Sequence, residues 1–188
     1  YVPHDSIAHP VTGLIYTVDQ GLDHMVITDP ISRESKYVLQ ADGGAERYHK
    51  GVPKTQVLGE FEPGTRHGPH SLDMGIDGKY YVTNTGTHSI GVFDPDTNEW
   101  EASHVIPRDE KAYYPHTVRV DKKGGVWFTL AGSEKVGRLN PDLGSFDIVD
   151  LPEAESGGIA GGTQPYGIDI NPVDDRMWYG RLFADKIG

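Results

Sequence analysis

Four dipeptides in this chain could carry chemistry: Pro3-His4, Pro69-His70, Pro115-His116 and Pro165-Tyr166. His70 and His116 are 46 residues apart, His116 and Tyr166 are 50 apart, and His4 stands 66 before His70. Three imidazoles and a phenol brought to one place could bind a divalent metal ion, pass protons, or grip a polar ligand. The bland alternative is that Pro-His caps a turn and is copied for structural reasons. Which applies depends on whether the fold brings these positions together.

The elements around each dipeptide repeat. The clearest copy runs from Tyr114 to Pro152. Thr117 to Asp121 alternates like a strand, and Lys122-Lys123-Gly124-Gly125 is a turn. Val126 to Thr129 is rich in β-branched and aromatic residues, Lys135 to Leu139 stops at Asn140-Pro141-Asp142, and Phe146 to Leu151 stops at Pro152. Thr17, Thr83 and Thr129 each lie 13 residues after their His, ending LIYT, YYVT and VWFT, and Met177 to Gly180 falls one residue later in the fourth copy. The third strand recurs as Ile90-Gly91-Val92-Phe93, Val136-Gly137-Arg138-Leu139 and Ile187-Gly188. A four-stranded unit at this period marks an all-β propeller of antiparallel blades.

The blades span roughly 3–66, 67–107, 114–152 and 164–188, the last incomplete. Residues 41–54 form a polar insertion, a surface loop or a lid, and Thr55 to Phe61 is expected to complete the first blade. Residues 108–113 and 153–163 connect blades. An open arc would leave bare edges. The expectation is therefore a piece of a longer ring, closed by further blades or by self-association.

In a propeller the first strand of each blade lines the channel. His4, His70, His116 and Tyr166 should then converge on one mouth. A second position, ending the second strand, is Val18, Asn84, Leu130 and Arg181; Asn84 and Arg181 suit a polar ligand. His67 and His88 are near enough in sequence to join the mouth, whereas His9, His24, His49 and His104 are scattered. Tyr16, Tyr80, Tyr81, Trp127, Trp178 and Tyr179 are expected to pack between blades. The acidic turns DPDTNE and NPDLGS lack the calcium-loop pattern and read as β-turns.

Composition narrows the function. The 188 residues carry a formal charge of −11 with no basic stripe, which argues against a nucleic-acid partner. No apolar run is long enough for a transmembrane helix. The 24 glycines and 13 prolines fit a chain of many reversals. With no cysteine, disulfides and thiol chemistry are excluded. G-x-S-x-G, phosphate-loop and H-E-x-x-H motifs are absent.

The unit with Pro115-His116, Trp127-Phe128-Thr129, Lys135-Val136-Gly137-Arg138 and Asn140-Pro141-Asp142-Leu143-Gly144 resembles the virginiamycin B lyase (streptogramin B lyase) family of β-propellers. Pro69-His70 with Ile90 to Asp96, and Asp185 to Gly188, repeat the resemblance. It implies a seven-bladed ring that opens an ester-linked cyclic depsipeptide by elimination. A magnesium or other divalent ion assists there, and a histidine takes the α-proton. Carried over, His116 is the candidate base, and His70 a ligand to metal or substrate. The family's glutamate at the end of a second strand is missing, because that position is Asn84, Leu130 or Arg181. The family's glutamate two residues before the base is Tyr114. The favoured expectation is therefore a ligand-binding or scaffold propeller, periplasmic or extracellular, that takes a small molecule or peptide at the channel mouth. A metal-dependent carbon–oxygen lyase is the alternative, and a lactonase-type propeller, weakly supported by Asn84, is a third.

Overall fold

The computed structural model describes residues 2–40, 66–107, 114–152 and 164–188. Among the described residues, fifteen strands fall into four antiparallel meanders. The first sheet is β1 (Pro3–Ala8), β2 (Ile15–Asp19), β3 (His24–Thr28) and β4 (Ser35–Leu39), paired in that order. The second is β5 (Pro69–Met74), β6 (Tyr80–Asn84), β7 (Ser89–Asp94) and β8 (Glu99–Val105). The third is β9 (Pro115–Val120), β10 (Val126–Leu130), β11 (Lys135–Asn140) and β12 (Ser145–Asp150). The fourth has three strands, β13 (Pro165–Ile170), β14 (Met177–Arg181) and β15 (Lys186–Ile187). The first strands β1, β5, β9 and β13 lie side by side, so the sheets radiate from a common inner edge. The described residues form all-β propeller blades, as the repeat predicts.

Two expectations change. The fourth strand of the first blade is Ser35–Leu39, directly after the Asp29-Pro30 turn, and not Thr55 to Phe61. The latter residues, with the insertion 41–54 and the connections 108–113 and 153–163, lie outside the described residues. The second change concerns register. In blades 2 and 3 the strand-opening Pro69 and Pro115 pair with Asn84 and Leu130. In blade 4 Pro165 pairs with Arg181, and in blade 1 Pro3 pairs with Asp19. Asp19, not Val18, therefore occupies the column of Asn84. The hairpin between β1 and β2 is one residue longer than that between β5 and β6, and a one-residue slip turns each side chain to the opposite face. Val18 takes the place of Thr83, and Thr17 turns to the outer face, where its hydroxyl meets Ser6 Oγ at 2.8 Å.

The acidic turns are backbone devices. Asp29 Oδ1 accepts from Ile31 N at 2.8 Å, and Asp94 Oδ1 accepts from Asp96 N at 2.8 Å. Asn140 Oδ1 accepts from Leu143 N at 3.3 Å. Each turn then closes through a left-handed residue: Arg33, Asn98 or Gly144. Glycine in the third strand has a packing reason. Gly137 pairs with Phe128, and a Cβ there would stand 2.2 Å from the Phe128 ring.

Two apolar seams bind the blades. Tyr16, Val18, Met25, Ile27 and Val38 pack on Leu72, Tyr80, Val82, Phe93 and Trp100. Tyr81, Ile90, Val92 and Ile106 pack on Val118, Val126, Phe128, Leu130 and Leu139. The rings of Tyr16 and Tyr80 stand 4.7 Å apart, so the inter-blade role expected of Tyr16, Tyr80 and Tyr81 holds. Trp127 is half-buried, donates Nε1 to Asp121 Oδ2 at 2.9 Å and lies under Arg138. Trp178, its counterpart in blade 4, is 49% exposed, because its face meets no further sheet among the described residues.

Candidate functional site

The inner edge positions the candidate residues. Each Pro opens a first strand, a place where the missing N–H costs no ladder bond. The residue before it is left-handed in three blades: Gly68 (φ 64°), Tyr114 (φ 60°) and Gln164 (φ 48°). Its carbonyl accepts an N–H from just beyond the second strand: Thr85 to Gly68, Ala131 to Tyr114, and Leu182 to Gln164, at 2.9–3.0 Å. Val2 and Gln20 make the same bond in blade 1. The end of the second strand thereby fixes the start of the first.

Adjacent blades are then stitched at the residue after Pro. Thr83 Oγ1 donates to the His116 carbonyl at 2.6 Å, and Thr129 Oγ1 donates to the Tyr166 carbonyl at 2.7 Å. Val18 cannot make that bond. At the first junction Ser71 Oγ instead donates to Asp5 Oδ2 at 2.7 Å, and the same oxygen accepts from Val118 N of the third blade at 3.3 Å.

The result is a continuous row of rings. Centroids are 3.5 Å apart for His4 and His70, 4.0 Å for His70 and His116, and 3.6 Å for His116 and Tyr166. The four residues that the sequence aligns are therefore neighbours in space. His70 and His116 are buried, whereas His4 and Tyr166 are exposed at the two ends. His70 Nδ1 donates to the His116 carbonyl at 3.2 Å, which fixes its tautomer because a carbonyl only accepts. His116 Nδ1 meets Thr117 Oγ1 at 3.0 Å, and its Nε2 is buried without a partner. Tyr114 lies beside both, its ring 6.1 Å from His116 and 6.3 Å from His70.

Burial, then the imidazoles of His116 and His4, push the His70 pKa down to about 3, against a smaller opposing pull from Asp5. Burial and then His4 push His116 to about 4. Both rings are neutral at pH 7, able to accept a proton or hold a polar group. Among the described residues, no group of three or more His, Asp or Glu side chains is arranged to hold a metal ion.

The other predicted residues stand apart from the row. Asn84 is fully buried in the seam between blades 1 and 2 and donates to Ser89 Oγ at 3.1 Å. Arg181 donates Nη2 to the Pro152 carbonyl at 2.7 Å and lies over Tyr179. His67 is buried in the loop before β5, with Nδ1 3.2 Å from Thr87 Oγ1, and His88 is buried in the loop between β6 and β7. Neither ring joins the row. Sequence reasoning missed two carboxylates. Asp5, next to His4, sits against Ser71 and acts on His70. Asp19 ends β2 and accepts three backbone N–H groups, from Val2, Gly21 and Leu22. The longer first hairpin was the available signal for Asp19.

No protein-family model matches the chain. A probable peptidyl-alpha-hydroxyglycine alpha-amidating lyase of Caenorhabditis elegans is 30% identical over 77 residues, which is 38% of this chain and 22% of that protein. The catalytically inactive virginiamycin B lyase of Staphylococcus aureus, solved with quinupristin, superposes with a TM-score of 0.58 at 18% identity. It covers all of this chain, and this chain spans 66% of its length. A putative 6-phosphogluconolactonase from Bacteroides uniformis gives a TM-score of 0.59 at 14% identity, over 94% of this chain and 46% of that one. Identities this low speak for the shared fold. Taken with the blade repeat, they give this chain a β-propeller fold like that of virginiamycin B lyase.

Proposed function

We propose that this chain is the ligand-binding part of a propeller that takes a small molecule or peptide at the end of its inner edge where the ring row lies. The observation that carries this reading is the row itself. Two buried neutral imidazoles are flanked by an exposed imidazole and an exposed phenol, so polar groups are presented at a blade end rather than sealed in a core. Against elimination chemistry stand Tyr114 before the candidate base, and Asn84, Leu130 and Arg181 at the ends of the second strands. Further blades, or a second copy, cover the open outer faces. The reading favours a periplasmic or extracellular location.

A second reading is favoured by one feature of the row. His116 Nε2 is buried, unpartnered and neutral, the state required of a base. In a lyase it would take the proton from the carbon next to a carbonyl, while the bond to the ester oxygen breaks and a carboxylate leaves. Removing so weak an acid needs stabilisation of the developing enolate, which in this reading comes from a divalent cation and carboxylates outside the described residues. The name of the similar virginiamycin B lyase structure is in keeping with such a reading.

The readings separate in one assay. The protein is incubated with quinupristin, with and without magnesium, and the products are resolved by chromatography and mass. Elimination gives an isomer of unchanged mass, whereas hydrolysis adds one water. The binding reading expects no product and a saturable shift of the His70 and His116 ring signals with a ligand. An isomeric product that disappears in His116→Ala would establish the lyase instead.

A further inference from the structure

Between the third and fourth blades, beside the exposed end of the ring row, is a hollow of about 390 Å³ lined by Tyr114, Ala131, Gly132, Gln164 and Tyr166. None of these five carries a charge, in a chain whose formal charge is −11. Among the described residues, the charged groups next to it, Glu134 and Arg181, have other partners. Glu134 Oε1 accepts from Gln164 N at 3.2 Å, Arg181 Nη2 is held by the Pro152 carbonyl, and Arg181 and Glu134 face each other at 4.0 Å.

The backbone supplies a second, independent observation. Tyr114 and Gln164 are left-handed, with φ of 60° and 48°. Blade 2 places Gly68 at the same position, where a Cβ would come within 2.6 Å of Thr85 Oγ1. Non-glycine residues adopt this conformation at a cost that glycine does not bear. The third and fourth blades therefore keep a side chain where the backbone would prefer none, and both side chains border the hollow. Strain of this kind concentrates at ligand sites.

We infer that Tyr114 and Gln164 are a specificity-determining pair that admits an uncharged, carbonyl-bearing ligand, a peptide or ester segment with an apolar or aromatic group, and turns away anions such as sugar phosphates. This rests on the ligand-binding reading above. The two exposed phenols, Tyr114 and Tyr166, offer apolar faces and O–H donors. The Gln164 side-chain amide offers N–H donors and a carbonyl acceptor, the complement of a peptide group. Among the described residues that line the hollow, no cation would receive a phosphate or carboxylate leaving water, and the molecule as a whole is acidic.

The test is a titration of the isotopically labelled chain, followed by NMR, with three probes: N-acetyl-tyrosine methylamide, N-acetyl-tyrosine and 6-phosphogluconate. The uncharged methylamide should shift the Ala131, Gly132 and Gln164 amide signals, and bind at least tenfold more tightly than either anion. Tyr114→Gly and Gln164→Gly suit the left-handed backbone, so they should keep or raise Tm while weakening the methylamide at least tenfold. Equal binding of an anion, or glycine variants that bind as well as the parent, would overturn the inference. Shifts confined to His4, His70 and His116 would remove the Tyr114–Gln164 pair and leave ligand binding at the row standing. No shift with any probe would overturn both.

Discussion

His70 and His116 owe their chemistry to where they are held. An isolated imidazole titrates near neutrality, but these two are desolvated and stacked on one another, and His70 falls to about 3 and His116 to about 4. The unfolded chain takes up these protons near pH 6.5, before the folded one does. The stability they contribute is complete above that pH and is lost as pH falls toward their folded values, at a slope of about 1.4 kcal/mol per pH unit for each proton. His104, pushed by burial to about 4, adds to the same window. Two-dimensional NMR of the imidazole signals should show both row histidines neutral at pH 5. The acid arm of a Tm–pH profile should become shallower between pH 6.5 and 3 in His70→Gln. Titration of either ring near pH 6.5 would mean that the row is hydrated and open. Pro-His was legible as a repeated dipeptide, and so was its convergence on one end. The stacking that makes these rings neutral was not legible, because it depends on a blade-to-blade distance that no single strand contains.

At the level of the strand, a threonine hydroxyl ties blade 2 to blade 3 and another ties blade 3 to blade 4. Thr83 and Thr129 reach the carbonyls of His116 and Tyr166. Replacing either with Val removes a buried bond while keeping the shape, and Val18 already fills that column in blade 1. Each replacement should cost about 1 kcal/mol in urea denaturation. The two effects should be alike, since each hydroxyl also accepts a backbone N–H, Thr83 from Ser71 at 3.0 Å and Thr129 from Thr117 at 3.2 Å. Gly137→Ala should cost about 1–3 kcal/mol, because Phe128 covers the glycine and the added methyl must displace a ring from a filled seam. The sequence repeat located strands β9 to β12 to within one or two residues. It misplaced one column in blade 1, where counting from His4 puts Val18 opposite Asn84. Pairing puts Asp19 there, since register follows the hairpin that the chain closes rather than the count from a landmark.

For the molecule as a whole, the two end blades present apolar side chains on their outer faces. Blade 4 exposes Trp178, Leu182 and Ile187, and blade 1 exposes Tyr37 and Leu39. Inner copies of the Trp178 column are buried or half-buried against a neighbouring blade, so the exposed copy marks an interface of the same kind. A polypeptide of these 188 residues should therefore self-associate, and Trp178→Lys should shift it toward monomer in sedimentation velocity. A monodisperse monomer before substitution would show that the faces are tolerated bare. The sequence by itself determined the repeated blade, its turns, its glycines and the four positions that meet at the inner edge. All of these follow from periodicity and turn chemistry within about 50 residues of chain. Only the tertiary structure decided that Asp19 replaces Val18, that Asp5 rather than a threonine stitches the first junction, and that the rings stack as a row. The same holds for the uncharged hollow beside Tyr114 and Gln164. Those features are set by how one blade's side chains meet the next, and contacts between distant segments leave no period in the sequence of either.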